Sequence, residues 1–234
     1  VMSGLAYWKA ELIIRLCKAP YTILKEDLKT IRTIPRNSLL WLAVLLIVSF
    51  GIRLYYVNAM PIFFDESYTY FNFTKRMIFT SVSYYPLPNN HVLHSVMTNI
   101  TYYLPFSQTF NLRLPNLMVS MVSILAIYLA LYRLFSKQSA ILGAAIFSSF
   151  FGVLYYSYCS RGYALVILAT IIALYAVLQI MRKYQKSGLL RYYLYLATAA
   201  IIGFYTMPSF LYPYFSLLSF LGIYLVYKRS LSVI

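Results

Sequence analysis

The chain has 234 residues, 62% of them hydrophobic and only 11% charged. A soluble domain of this length carries about 25% charged residues, so a water-facing fold is excluded and the bilayer is the expected solvent. The net charge of +15 does not point to nucleic acid, because the basic residues gather at the ends of apolar runs rather than on one polar face.

Residues 1–37 read as a cytoplasmic juxtamembrane tail. Leu5, Trp8, Leu12 and Leu16 recur at helical spacing, with Lys9, Arg15 and Lys18 between them. After Pro20 come Lys25, Lys29, Arg32 and Arg36. Such a segment either lies on an anionic membrane surface or is a solvated tail. No compact apolar core with a small-residue cleavage site marks a signal peptide. Cys17 and Cys159 have no disulfide or metal spacing.

Residues 38–234 predict an all-α, polytopic transmembrane bundle of about six spans. The first runs from about Leu39 to Val57. A large extracytoplasmic loop follows, about 58–111, in which two interfacial helices are expected at about 64–80 and 90–104. Five further spans are expected: Leu114–Leu134, Ala140–Tyr156, Tyr163–Met181, Tyr192–Tyr205 and Phe210–Tyr227. A crossing needs roughly 17–25 residues, and Tyr192–Tyr205 falls short of that. With the N-terminus in the cytoplasm, fifteen of the twenty basic residues fall on the cytoplasmic side. That leaves Arg53, Lys75, Arg76, Arg113 and Arg161 outside, as the positive-inside rule requires.

Beyond the tail the only carboxylates are Asp65 and Glu66, adjacent in FFDESYTYF of the outer loop. A carboxylate at that interface acts as base, nucleophile or metal ligand, or it stabilises a helix start through an N-cap at Asp65. Neighbours on a helix point roughly 100° apart, so the two need not share one task. His91 and His94, three apart, either bind a metal or phosphate or are interfacial polar residues. Arg113 and Arg161 lie where a lipid phosphate would sit, and an Arg fork suits phosphate. Snorkelling to headgroups is the alternative, and it fits Arg53 best. Tyr68, Tyr70, Tyr84 and Tyr85 can stack on a sugar, although most of the 26 tyrosines fit an aromatic belt. Asn72-Phe-Thr and Asn99-Ile-Thr match the weak tripeptide of N-glycosylation.

Taken in order, FFDESYTYF, YPLPNNHVLHSVMTNITYYLP, NLRLPNLMVSMVSIL and YYSYCSRGYAL resemble the GT-C glycosyltransferases. The nearest group is the bacterial branch related to protein O-mannosyltransferases and the lipid A aminoarabinose transferase. The likeness spans about residues 38–227. It implies a cell-envelope enzyme of the bacterial cytoplasmic membrane that takes a sugar from a polyprenyl-phosphate donor on the outer face. The acceptor would be a glycan, lipid or protein group, and no nucleic acid is involved. The resemblance puts Asp65 at the family's acidic position, with Glu66 in support, and allows a divalent metal there. It puts Arg113 and Arg161 at the family's arginine positions, Arg161 toward the donor phosphate, and His91 in its NNH segment. Family members have a seven-span module and usually continue beyond it, so a fragment or reduced member is expected, with partner subunits an option. The alternative function is a non-catalytic lipid-binding or scaffold subunit of an envelope complex.

Overall fold

The computed structural model describes residues 32–85, 89–184 and 188–231, with side chains to Arg229. The expected amphipathic tail helix and residues 86–88 of the PLPNN stretch lie outside these residues. Every regular element among them is helical. In chain order they are α1 (Arg36–Ala59), α2 (Phe64–Thr69, running into a π-turn, Tyr70–Thr74), α3 (Ile78–Ser83) and α4 (Val92–Thr101). Then come α5 (Gln108–Leu134), α6 (Lys137–Ser149), α7 (Phe151–Tyr158), α8 (Tyr163–Arg182) and α9 (Leu190–Thr206). A 3₁₀ turn (Pro208–Phe210) leads into α10 (Leu211–Leu231).

Among the described residues, four stretches are long and apolar enough to cross a membrane: α1, α5, α8 and Pro208–Arg229. The protein is an integral membrane bundle. The expected third span is α6 and α7 bent by 60° at one residue, a fifth crossing if the pair is one span. The remaining expected span is α9, whose 17 residues reach only about 25 Å, against roughly 30 Å of hydrocarbon.

Lipid offers no hydrogen bonds, so each interrupted helix needs a side chain to complete its backbone. Pro115 lies inside α5 and has no N–H for the Asn111 carbonyl. The Thr101 hydroxyl donates to that carbonyl instead, at 2.7 Å. The break at Phe150 ends α6, and Arg53 Nη2 donates to the Ser148 carbonyl at 2.9 Å. Arg53 is only 1% exposed, so the expected snorkelling is replaced by a role inside the bundle. The helix expected over 64–80 stops at the π-turn, where Asn99 Nδ2 donates to the carbonyls of Thr74 (3.1 Å) and Arg76 (2.6 Å). Asn99 is buried, so this folded chain does not present it as a glycan acceptor.

Helices in lipid gain little from apolar burial and pack through close contact of small residues. Ala169, Ala173 and Ala176 of α8 are fully buried, as is Ala199 of α9. Gly203 of α9 faces the ring of Phe210, which lies 2.1 Å from where a Cβ would stand. That close approach folds the 3₁₀ turn back on α9.

Gly203→Ala is expected to destabilise the bundle by about 1–3 kcal/mol through overpacking. Gly51→Ala, with nothing near its added methyl, leaves stability unchanged or slightly raised. Melting both variants in detergent measures the contrast, and equal melting temperatures would contradict the packing described.

Candidate functional site: an ionic platform at one end of the bundle

One end of the bundle gathers the C-terminus of α1, all of α2–α4, the N-terminus of α5, and the turn between α7 and α8. Arg113 and Glu66 lie at its centre, 0% and 1% exposed. The pair is bidentate. Arg113 Nε donates to Glu66 Oε1 at 3.0 Å and Nη2 to Oε2 at 2.7 Å. Arg113 Nη1 donates to the carbonyls of Val57 and Met60, both at 2.9 Å, and Nη2 to that of Pro61 at 2.7 Å. All five guanidinium N–H groups are used. The three carbonyls lie at the C-terminal end of α1, where the helix dipole favours a cation.

Glu66 also accepts the N–H of Phe63 at 3.0 Å and of Ser160 at 2.7 Å. The first bond closes the start of α2, whose N-cap is Phe63. The helix-start reading of the acidic pair therefore falls on Glu66, at the third helical position, and not on Asp65 as the cap. The assignment of Arg113 to a lipid phosphate is corrected: it is fully buried and every donor has a protein acceptor. Glu66 likewise has no free oxygen to offer substrate, so its part is positioning, not chemistry.

Asp65, one step round the helix, differs sharply. Its side chain is 57% exposed, and Oδ2 lies 3.0 Å from Arg161 Nη1. Arg161 follows the turn Cys159–Ser160 and is 13% exposed. Nη1 also donates to Asn89 Oδ1. Its Nε is buried with no partner, and the ring of Tyr163 lies 5.9 Å from the guanidinium carbon. Arg161 thus keeps donor capacity that Arg113 lacks.

Asn116 of α5 holds this turn by donating to the carbonyls of Tyr156 (3.2 Å), Arg161 (2.7 Å) and Cys159. Ser160 is fully buried and its hydroxyl donates to the Leu112 carbonyl at 2.8 Å. His94 Nε2 lies 3.3 Å from that hydroxyl and must be the donor, since the hydroxyl proton is already committed. His91 Nδ1 accepts the Gly162 N–H at 2.7 Å. A Cβ on Gly162 would meet Thr206 at 2.4 Å and His91 at 2.8 Å, so only glycine lets α4, α8 and α9 meet here. Tyr68 is half-buried, its ring edge-on to Phe73 at 6.2 Å. Asn116, Ser160 and Asn89 escaped the sequence reading. Asn116 had a signal, an amide inside the apolar run that opens α5.

Burial, and then the nearby Arg161 charge, pushes His91 down to about 3. Burial, then His91 and Arg161, does the same to His94. Both are neutral hydrogen-bonding groups at physiological pH. Burial raises the Cys159 thiol to about 11, which makes it a poor nucleophile. The residues do not fit a metal. No group of three His, Cys, Asp or Glu converges among the described residues. His91 Nδ1, Glu66 and Asp65 each already serve a protein hydrogen bond or ion pair.

No family model, curated protein or solved structure matches the chain. What the fold and site define is a class: an integral membrane helical bundle with a buried ion pair beneath a partly exposed one.

The two histidines predict a pH dependence. The unfolded chain takes up protons between about pH 3 and 6.5 that the folded chain refuses, so stability rises with pH through that window. Their contribution is complete above 6.5 and lost as acid is added. Melting temperature should fall from neutrality towards about pH 4, and His94→Gln should flatten that slope. A flat profile in the parent chain would contradict the burial of neutral imidazoles.

Proposed function

We propose that the protein is a glycosyltransferase of GT-C type. It moves a sugar from a polyprenyl-phosphate donor to an acceptor hydroxyl at the membrane face that carries Asp65. One observation carries this reading: Asp65 is an exposed carboxylate, 3.0 Å from an arginine with spare donors, on a rigid buried base. A transfer of this kind needs a base for the acceptor and a cation for the departing phosphate.

In the resting arrangement Asp65 and Arg161 neutralise each other. A bound donor phosphate takes up Arg161 through its Nη and Nε groups and so releases Asp65. Asp65 then accepts the acceptor's hydroxyl proton while the oxygen attacks the anomeric carbon from the opposite side. The new O–C bond forms, the C–O bond to phosphate breaks, and polyprenyl phosphate leaves with the electron pair. Configuration inverts. Phosphate is already a stable anion, so no strong general acid is required. Arg161 stabilises the growing charge, and Glu66 and Arg113 hold the platform. The setting that fits is a bacterial cytoplasmic membrane with the N-terminus inside.

A second reading, a non-catalytic lipid-binding or scaffold subunit, is favoured by the last helix. Only 11% of its spanning window is buried, leaving a wide apolar face for lipid or a partner helix.

Asp65→Asn decides between them. In membranes supplied with a polyprenyl-phosphate-linked hexose, the variant should lower release of polyprenyl phosphate by about 10²-fold or more, with the protein still folded. Undiminished release would overturn Asp65 as the base, and no release from the parent chain together with a stably co-purifying partner would support the scaffold.

A further inference from the structure

The cap that α2, α3 and α4 place over one end of the bundle is built with its polar groups inward. Asn99 Nδ2 holds the carbonyls of Thr74 and Arg76. The hydroxyls of Thr74 and Thr98 share a hydrogen bond of 2.8 Å. Asn90 Nδ2 donates to the carbonyls of Ser81 and Tyr84, both at 2.9 Å, and its Oδ1 accepts the Ser95 hydroxyl at 2.8 Å. Thr74, Ser81, Asn90, Ser95, Thr98 and Asn99 are all buried. Large apolar side chains of the same segments are left outside. Met77 and Phe79 are 80% and 77% exposed, and Phe71, Val82, Ile100 and Tyr103 are exposed as well. They belong to one surface, because Asn99 ties the turn before α3 to the end of α4, where the rings of Tyr70 and Tyr102 lie 6.1 Å apart.

In water this arrangement is inverted. Burying apolar surface gains about 25 cal/mol per Å², so a solvated cap turns such side chains inward. Lipid reverses the preference: it accepts apolar side chains and offers amides and hydroxyls no partner, so those close on one another. Lys75 and Arg76 stand within the apolar stretch and are exposed. Arg76 Nε donates to the Phe71 carbonyl at 3.4 Å, which holds its charge against that stretch. A protein interface is depleted in lysine, whereas a membrane-surface face mixes Lys and Arg with Phe and aliphatic residues. Cations on such a face reach for acidic headgroups while their stems lie on apolar surface.

We infer that this face of the cap is immersed in the leaflet at its end of the bundle. Met77, Phe79 and Tyr103 enter the acyl boundary, and Lys75 and Arg76 engage anionic phospholipid headgroups. The inference is independent of the proposed transfer and survives its failure.

The test is tryptophan quenching in vesicles holding the full chain with Trp8→Phe, Trp41→Phe and Phe79→Trp. Acyl-brominated lipid should quench the introduced indole about as strongly as it quenches Trp41, which is exposed on the spanning helix α1, in a chain carrying Trp8→Phe alone. Brominated phosphatidylglycerol should quench it more than brominated phosphatidylcholine at equal content. Lys75→Gln with Arg76→Gln should lower that preference by about fivefold for each cation removed, while Lys137→Gln at the other end leaves it unchanged. Quenching by aqueous iodide in place of brominated lipid would overturn the immersion. So would protection from both quenchers, which would put the face against a second copy of the chain. Equal quenching by the two lipids would overturn the anionic preference.

Discussion

A buried guanidinium and a buried carboxylate, Arg113 and Glu66, meet where four segments of the chain converge. Removing two ions from water costs several kcal/mol each, and their attraction offsets this only with excellent geometry. The geometry is of that kind. The fork is bidentate, the remaining Arg113 donors go to three carbonyls at the end of α1, and the remaining Glu66 capacity goes to Phe63 and Ser160. Together those bonds reach the end of α1, the start of α2 and the turn after α7. The pair therefore sets where α1 ends, where α2 begins, and where the turn after α7 rests against α5. Remove one partner and the other is left charged in the dark interior, which costs about 3–5 kcal/mol.

The Asp65–Arg161 rim inherits its position from that base. Asp65 and Glu66 are consecutive, so fixing Glu66 inward turns Asp65 outward. Ser160 and Arg161 are consecutive too, and pinning Ser160 to Glu66 and Leu112 carries Arg161 to the rim. Asn116 fixes the same turn from α5. The partly exposed Asp65–Arg161 pair is thus the neighbour, residue for residue, of the buried Glu66–Ser160 contact. The same economy of partners recurs through the bundle. Thr101 completes the carbonyl that Pro115 leaves open, Arg53 the carbonyl at the α6–α7 break, and Asn99 those beyond the π-turn. A bilayer enforces this, since water cannot reach these groups.

Much of this was legible in the sequence, for definite reasons. Long apolar runs revealed α1, α5, α8 and α10, because the hydrocarbon thickness sets their length. The scarcity of acids singled out Asp65 and Glu66. The 100° step between neighbours allowed a division of labour, although which residue faced inward depended on tertiary contacts. Arg113 and Arg161 looked alike in sequence, both arginines at the outer end of a helix. What separates them is 47 residues away for Arg113 and 96 for Arg161, a carboxylate apiece. The bend at Phe150 was hidden in a run apolar enough for a straight span. Arg53, an apparent snorkelling residue, reveals itself as that bend's partner only when α1 lies beside α6.

The central claim is that Glu66 and Arg113 act as one structural unit. A double-mutant cycle on Glu66→Gln and Arg113→Gln, read as unfolding free energy in mixed micelles, measures this most directly. The account predicts that each single variant costs several kcal/mol and that the double variant costs little more than either, a coupling of about 3 kcal/mol or so. Additive losses within roughly 0.5 kcal/mol would show the two side chains to be independent and would contradict it.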